Sequence, residues 1–191
     1  MKTTTDYLTL EDYLTNSNGT DIPFELVDGE LVEMPPESRI NNKLASFLID
    51  IFATYFPKDT IGNKTAIAVS GKRATARIPD VTVLSEEGDR LLMARRSDTV
   101  TYDMPPPVLV VEVVSPGQEN RDRDYRHKHT EYAAREIPEY WIVDPELQQV
   151  TVCVWNNGRY DDAIYSGGVA LTSSVIPNLE LTDTQIFERQ L

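Results

Sequence analysis

The run Val108-Leu-Val-Val-Glu-Val-Val114 sets one carboxylate in an otherwise unbroken aliphatic stretch, with Pro105-Pro-Pro107 before it and Ser115-Pro-Gly117 after it. A β-branched run of this length, ended on both sides by turn formers, predicts a strand covered on both faces. Glu112 must then point into the protein. An ionised carboxylate costs several kcal/mol to bury unless a cation or a metal pairs with it. Any fold for this chain has to supply that partner.

The chain is 191 residues long and 40% apolar, which predicts one globular domain with a real core. No run approaches the ~20 apolar residues of a membrane-spanning helix, and Met1–Asp6 carries nothing resembling a signal peptide, so a cytoplasmic protein is expected. Cys153 is the sole cysteine. On the sequence, that excludes both an internal disulfide and a cysteine-based metal site; in Val150-Thr-Val-Cys-Val-Trp155 it reads as a buried structural thiol. The net charge of −13 counts against a nucleic-acid partner, whose phosphates are neutralised by Lys and Arg. The positive charge is segregated, however. Arg121, Arg123, Arg126, Lys128 and Arg135 fall in one segment, and Lys72, Arg73, Arg77, Arg90, Arg95 and Arg96 in another, so an acidic protein can still present a local basic face.

Thr9-Leu-Glu-Asp12 resembles a capping box and predicts a short helix over Leu10 to Asn16. Phe24 to Met34 gives two strands around Asp28-Gly29, a hairpin signal. Apolar residues at helical spacing from Ile40 to Tyr55 predict a helix from Glu37 to Phe56, stopped by Pro57. Strands over Thr65 to Val69 and Ala74 to Leu84, a helix around Glu86 to Arg95 and the buried strand follow. A helix from Arg121 to Arg135, a strand at Tyr140 to Val143 and an antiparallel meander over Gln149 to Trp155, Arg159 to Tyr165 and Val169 to Leu171 complete the chain. This order predicts an α/β (α+β) fold: a mixed central sheet flanked by helices, with an N-terminal hairpin and a C-terminal meander.

Two further acids are anomalous in the way Glu112 is. Period-2 alternation in Arg77-Ile-Pro-Asp-Val-Thr-Val83 puts Asp80 on the face of Ile78, Thr82 and Leu84, although Asp after Pro is also ordinary at a bend. With a two-residue Asp28-Gly29 loop, Leu26 faces Leu31 and Phe24 faces Glu33, which makes Glu33 the one charge on that face. Glu25 and Glu30 then read as solvated, and a register slip of one residue reverses the assignment. Lys128 lies at the edge of the inward stripe Tyr125, His129, Tyr132 and Ala133. Its ammonium either reaches the sheet or snorkels to water, paired with Asp124. Carboxylates that hold a hard cation beside an ammonium are equipped for metal-assisted phosphodiester hydrolysis.

Pro79-Asp80, Glu112 in a hydrophobic strand, and a basic helix followed by a strand resemble the PD-(D/E)XK nuclease superfamily. More narrowly, Phe24 to Met34, Pro105 to Pro116, Asp124 to Tyr132 and Ile137 to Asp144 resemble the Uma-two family of restriction-endonuclease-like proteins. The resemblance implies a restriction-endonuclease-like core in which Asp80 and Glu112 hold Mg²⁺, with Mn²⁺ as a substitute. It also implies that Glu33 is a further ligand or water-orienting acid and that Lys128 is the electrostatic stabiliser. The superfamily places lysine two residues after the second acid, where this chain has Val114, so Lys128 must come from the next helix. Arg39, beside Asn41 and Asn42, stands where related sequences often carry histidine.

These residues lead to a Mg²⁺-dependent DNA endonuclease, acting as a homodimer, with Arg121, Arg123, Arg126, Lys72, Arg73 and Arg77 at phosphates. The alternative is a catalytically silent nuclease-fold module that binds nucleic acid or protein, which the acidity and Val114 favour. An enzyme of small phosphorylated molecules lacks its Gly-rich loop, and His127 and His129, two apart on a helix, face away from each other and predict no zinc site.

Overall fold

The computed structural model describes residues 7–16 and 23–188; the Met1–Asp6 segment lies outside them. Helix α1 (Leu10–Asn16) is capped as predicted, with Thr9 Oγ1 accepting from the Asp12 N–H and Asp12 accepting from the Thr9 N–H. Strands β1 (Phe24–Val27) and β2 (Glu30–Glu33) pair with Leu26 opposite Leu31 and Phe24 opposite Glu33. Their turn places Asp28 at φ 50° and Gly29 at φ 85°, the left-handed pair that a two-residue hairpin needs. Helix α2 (Arg39–Phe52) starts on Ser38, whose hydroxyl accepts from the Asn41 N–H, and buries Leu44, Leu48 and Phe52.

A 3₁₀ turn (Lys58–Thr60) leads to β3 (Ile61–Gly62), β4 (Ala66–Val69), β5 (Thr75–Arg77), β6 (Val81–Val83), α3 (Glu86–Arg95), β7 (Thr99–Val100) and β8 (Leu109–Val113). The next helix runs in three pieces: α4 (Gln118–Asp122), a π-helical segment (Arg123–Lys128) and α5 (His129–Ala134). Strands β9 (Glu139–Asp144), β10 (Gln149–Asn156) and β11 (Arg159–Tyr165) and helix α6 (Asp183–Phe187) follow.

The strands form two mixed sheets, ordered β2-β1-β5-β4-β7 and β11-β10-β9-β8-β6-β3. The strand expected over Ala74 to Leu84 is therefore two. Pro79 cannot donate to a ladder, and the chain leaves the first sheet after Arg77 and joins the second at Val81. Val169 to Leu171 does not extend the meander; its one bridge, Ala170 to Thr182, lies outside both sheets. The one central sheet expected is corrected to two, and the mixed α/β class stands.

Strand β8 pairs in parallel with β9 and antiparallel with β6, so it is interior, as its aliphatic run requires. One face of the larger sheet packs Leu109, Val111, Val113 and Trp141 against Leu44, Leu48 and Phe52 of α2. The other packs Val110, Val114, Tyr140 and Ile142 against Tyr132 and Ala133 of α5. Phe52 meets Trp141 edge-on at 5.4 Å between ring centroids. Replacing Phe52 with Ala removes a fully buried ring from this contact and should lower unfolding free energy by about 3–5 kcal/mol in a denaturant titration. A loss below about 1 kcal/mol would show that α2 does not hold the sheet in this way.

Candidate active site

Glu112 is 3% exposed and occupies the face of β8 that carries Val110 and Val114, beneath the helix that follows. Its partner is Lys128. The ammonium lies 2.8 Å from Glu112 Oε1, and the Tyr132 hydroxyl donates to the same oxygen at 2.7 Å. Lys128 is itself only 2% exposed, so its head does not snorkel to water. It also reaches Glu25 Oε1 at 3.3 Å and Asp124 Oδ1 at 3.9 Å. The π-helical widening between Arg123 and Lys128 explains why sequence spacing left this lysine at the edge of the stripe. An i→i+5 turn rotates successive residues less than an α-helix does, which brings Asp124 onto the buried face that Lys128 and Tyr132 share.

Glu25 belongs to this cluster. Its carboxylate accepts from Arg77 Nη1 at 2.9 Å and from the Ile78 N–H at 3.0 Å, and Arg77 grips Glu131 through Nε and Nη2 at 2.7 and 2.8 Å. The hairpin register is the expected one, but the expectation that Glu25 is solvated is corrected. Strand β1 is covered on both faces: Leu26 packs with Tyr13 of α1, while Glu25, 5% exposed, turns to Arg77 and Lys128. Glu33 lies on an exposed strand and lines the mouth of the cleft.

Asp80 immediately precedes β6. The register pairs Val81 with Val111, so one step further Asp80 stands beside Glu112, and its Oδ2 accepts the Val113 N–H at 2.6 Å. Asp80, Glu112, Glu25 and Lys128 all line one cleft of about 510 Å³, with Glu33, Glu37, Arg123 and His127 also in its walls. A larger depression of about 1060 Å³ runs along the outer face of α2 past Arg39, Lys43 and Asp50, and of these acids it touches only Glu37. The candidate site residues therefore line the smaller one. Asn41, buried beneath this region, ties α2 to the end of β8 through Val113 O and Ser115 Oγ. Arg39 points to the outer depression instead.

Charge is out of balance here. Glu25, Glu112, Asp124, Glu131 and Asp80 face Lys128, Arg77 and Arg123, which leaves two negative charges uncompensated if all ionise. The two nearest the cleft respond. Burial pushes Asp80 up to about 7, with the Glu37 and Asp124 charges adding to it and the Val113 N–H and Lys128 opposing. Part of Asp80 remains open to solvent through the cleft, but protein packed around it removes most of its hydration. Burial pushes Glu112 up to about 8 against the pull of Lys128. Burial also opposes ionisation of Glu25, but Lys128 and Arg77 outweigh it and hold that carboxyl below its ordinary value. Lys128 stays charged, because Glu112 and Glu25 overcome the cost of its burial.

The residues fit a divalent cation. Asp80 Oδ1 and Glu112 Oε2 accept no hydrogen bond among the described residues, and both side chains line the cleft. Two hard oxygens beside a two-charge deficit suit an ion of the Mg²⁺ type. The basic residues expected at phosphates divide. Arg77 is 4% exposed and held by two glutamates, and Arg121 is bound to Asp144 and Glu146, because both lie where the helix packs on the sheets. Arg123 opens on the cleft, while Arg126, Lys72 and Arg73 are exposed; the Arg73 guanidinium stacks on Tyr7 at 3.6 Å.

The model of the Uma2 family, described as "Putative restriction endonuclease", matches residues 5–184. The chain belongs to the Uma2 family. Among solved structures, it resembles a protein from Anabaena variabilis described as a putative nuclease of the DUF820 family, at 15% identity. The TM-score is 0.69, with 96% of this chain and 99% of that one covered, so the fold is shared over nearly the whole of both. No curated protein matches the chain. In this Uma2 protein Val114 is buried in the apolar face under α5, and Lys128 is the lysine beside Glu112.

Raised carboxyl pKa values give the metal-free protein a signature. A group that holds its proton more tightly when folded contributes stability below its unfolded pKa and loses it as pH rises through the folded value. Between pH 5 and pH 8, the contributions of Asp80 and Glu112 should therefore fade, lowering Tm in chelator by on the order of 5 °C. Asp80→Asn should flatten the curve, as read by differential scanning calorimetry. A Tm that climbs across this range in both proteins would contradict the assigned burial.

Proposed function

We propose that this protein is a divalent-metal-dependent endonuclease that hydrolyses phosphodiester bonds in DNA, with Mg²⁺ as its working ion and Mn²⁺ as a substitute. The observation that carries the proposal is the meeting of Asp80 and Glu112 at one cleft with Lys128 2.8 Å from Glu112, in a cluster short of two positive charges. Asp80 and Glu112 would hold the ion, which would lower the pKa of a bound water and offset charge on the phosphoryl group.

The chain's own residues supply the rest. Lys128 keeps a fixed positive charge at the cleft floor, where low dielectric strengthens its attraction for a phosphodiester on its way to a more negative transition state. Tyr132 and Glu25 hold that ammonium and Glu112 in place from the far side. Arg123, anchored by Asp124 and Asn120, presents the cation nearest the opening, and exposed Arg126 can meet a neighbouring phosphate. Glu33 and Glu37, exposed at the rim, would act as water-orienting acids, and Glu33 as an ion ligand only if its strand moved toward the ion. A two-fold dimer would let each site address one strand of a duplex.

Asp80→Asn and Glu112→Gln should each lower Mg²⁺-dependent nicking of supercoiled plasmid by about a thousandfold or more, a loss expected when the group that holds the charge-stabilising ion is removed. Circular dichroism should stay unchanged. Wild-type nicking rates in both variants would remove the assignment.

A second reading rests on a different feature. The Glu112–Lys128–Glu25–Arg77–Glu131 chain gives every member an ion-pair partner without a metal, as a silent nucleic-acid- or protein-binding module would require. Calorimetric Mn²⁺ titration separates the two. Heat lost in Asp80→Asn supports the nuclease, and no carboxylate-dependent binding supports the module.

A further inference from the structure

On the side of α5 away from the cleft, three side chains of different chemistry converge. Cys153 in β10 and Asp162 in β11 are direct cross-strand partners, so both project on the same face of the meander. His129, the first residue of α5, descends on them: its Nε2 lies 3.0 and 3.1 Å from the two Asp162 oxygens. One ligand atom from each residue falls within 4.8 Å of the other two. We propose that His129, Cys153 and Asp162 form a site for a transition-metal ion of the zinc class, which would fasten α5 to the β10–β11 hairpin.

Donor chemistry selects the ion. A thiolate, an imidazole and one carboxylate suit Zn²⁺ or Co²⁺ and are a poor match for Mg²⁺, which prefers oxygen and keeps much of its water. Three protein ligands would leave a fourth tetrahedral position for water. The site is graded in depth: Cys153 is fully buried, His129 is partly covered and Asp162 is exposed, so an ion could enter from the carboxylate side and settle on the sulfur. The imidazole is already oriented. Its ring packs edge-on against Tyr160, with centroids 5.2 Å apart, and near Tyr140 at 6.4 Å.

Chain spacing hides this arrangement. His129 and His127 do face apart, and a lone cysteine has no sequence partner. The donors come from three elements and meet only through the fold. Binding would transfer the thiol proton to solvent and leave the sulfur as thiolate on the metal. Burial pushes the free thiol's pKa up, with the Asp162 charge adding, so without metal Cys153 stays protonated.

Co²⁺ titration of the full chain in Mg²⁺-free buffer tests the site, because cysteine ligation gives a thiolate-to-cobalt charge-transfer band in the near ultraviolet and this chain has one cysteine. The wild type and Glu112→Gln should both show the band, bleached by Zn²⁺, since only the Cys153 site gives it. His129→Gln and Asp162→Asn, both at partly open positions, should weaken Co²⁺ affinity by at least about tenfold, the lower end of what even an outer-shell change costs. Absence of the band in the wild type at saturating Co²⁺ overturns the proposal. So does a band whose affinity is unchanged in both variants.

Discussion

The contact between Lys128 and Glu112 underlies the arrangement around it. Each charge would be prohibitively expensive alone at this depth, and removing one partner of such a pair typically costs 3–5 kcal/mol because the other is left stranded. The pair ties the centre of β8 to the middle of a helix 16 residues further along the chain. Glu25 and Arg77 extend the tie to β1 and β5, which belong to the other sheet. Polar contacts thus join the two sheets alongside the apolar cluster that packs Ile67 and Val69 of the first sheet with Val110 and Tyr140 of the second. The same contacts leave Asp80 Oδ1 and Glu112 Oε2 without a hydrogen bond among the described residues, in two side chains that line the cleft.

Such a centre is held under electrostatic tension. Its carboxylates exceed its cations, and the protein without metal accommodates the excess by keeping a proton on Asp80 at the opening. A divalent ion would exchange for that proton. Glu25 has no such latitude, since Arg77 and Lys128 keep it ionised, and it acts as a fixed negative wall behind the lysine. Arg77 is consequently a structural cation. Its guanidinium spans Glu25 and Glu131 in a bidentate geometry that lysine could not reproduce.

Sequence alone carried much of this. The β8 run, the Asp28-Gly29 hairpin and its register, and the arrival of Lys128 from the helix are legible because each rests on local periodicity or on an unpaired buried charge. The switch of sheets at Pro79 is less visible, because Ala74 to Leu84 alternates like one continuous strand and only the proline marks the break. Glu25 was obscured because pairing predicts which residues share a face but not whether a distant helix covers that face. Asp124 sits beside Arg123 and Arg126 in sequence and looks like part of a solvated charged run; only the widened helix turns it inward.

That widening has a consequence for how such a chain can vary. An ordinary α-helix advances about 100° per residue, so one residue gained or lost before a point swings everything after it by more than a quarter turn. The segment from Arg123 to Lys128 absorbs extra chain within the helix itself. Trimming one residue there would let the helix relax to regular geometry, but Tyr132 and Ala133 could then stay packed on the sheet only if the residues before the cut rotated out of phase. The lysine's aim and the helix's seat on the core are thus set by separate stretches, joined by a built-in phase shift.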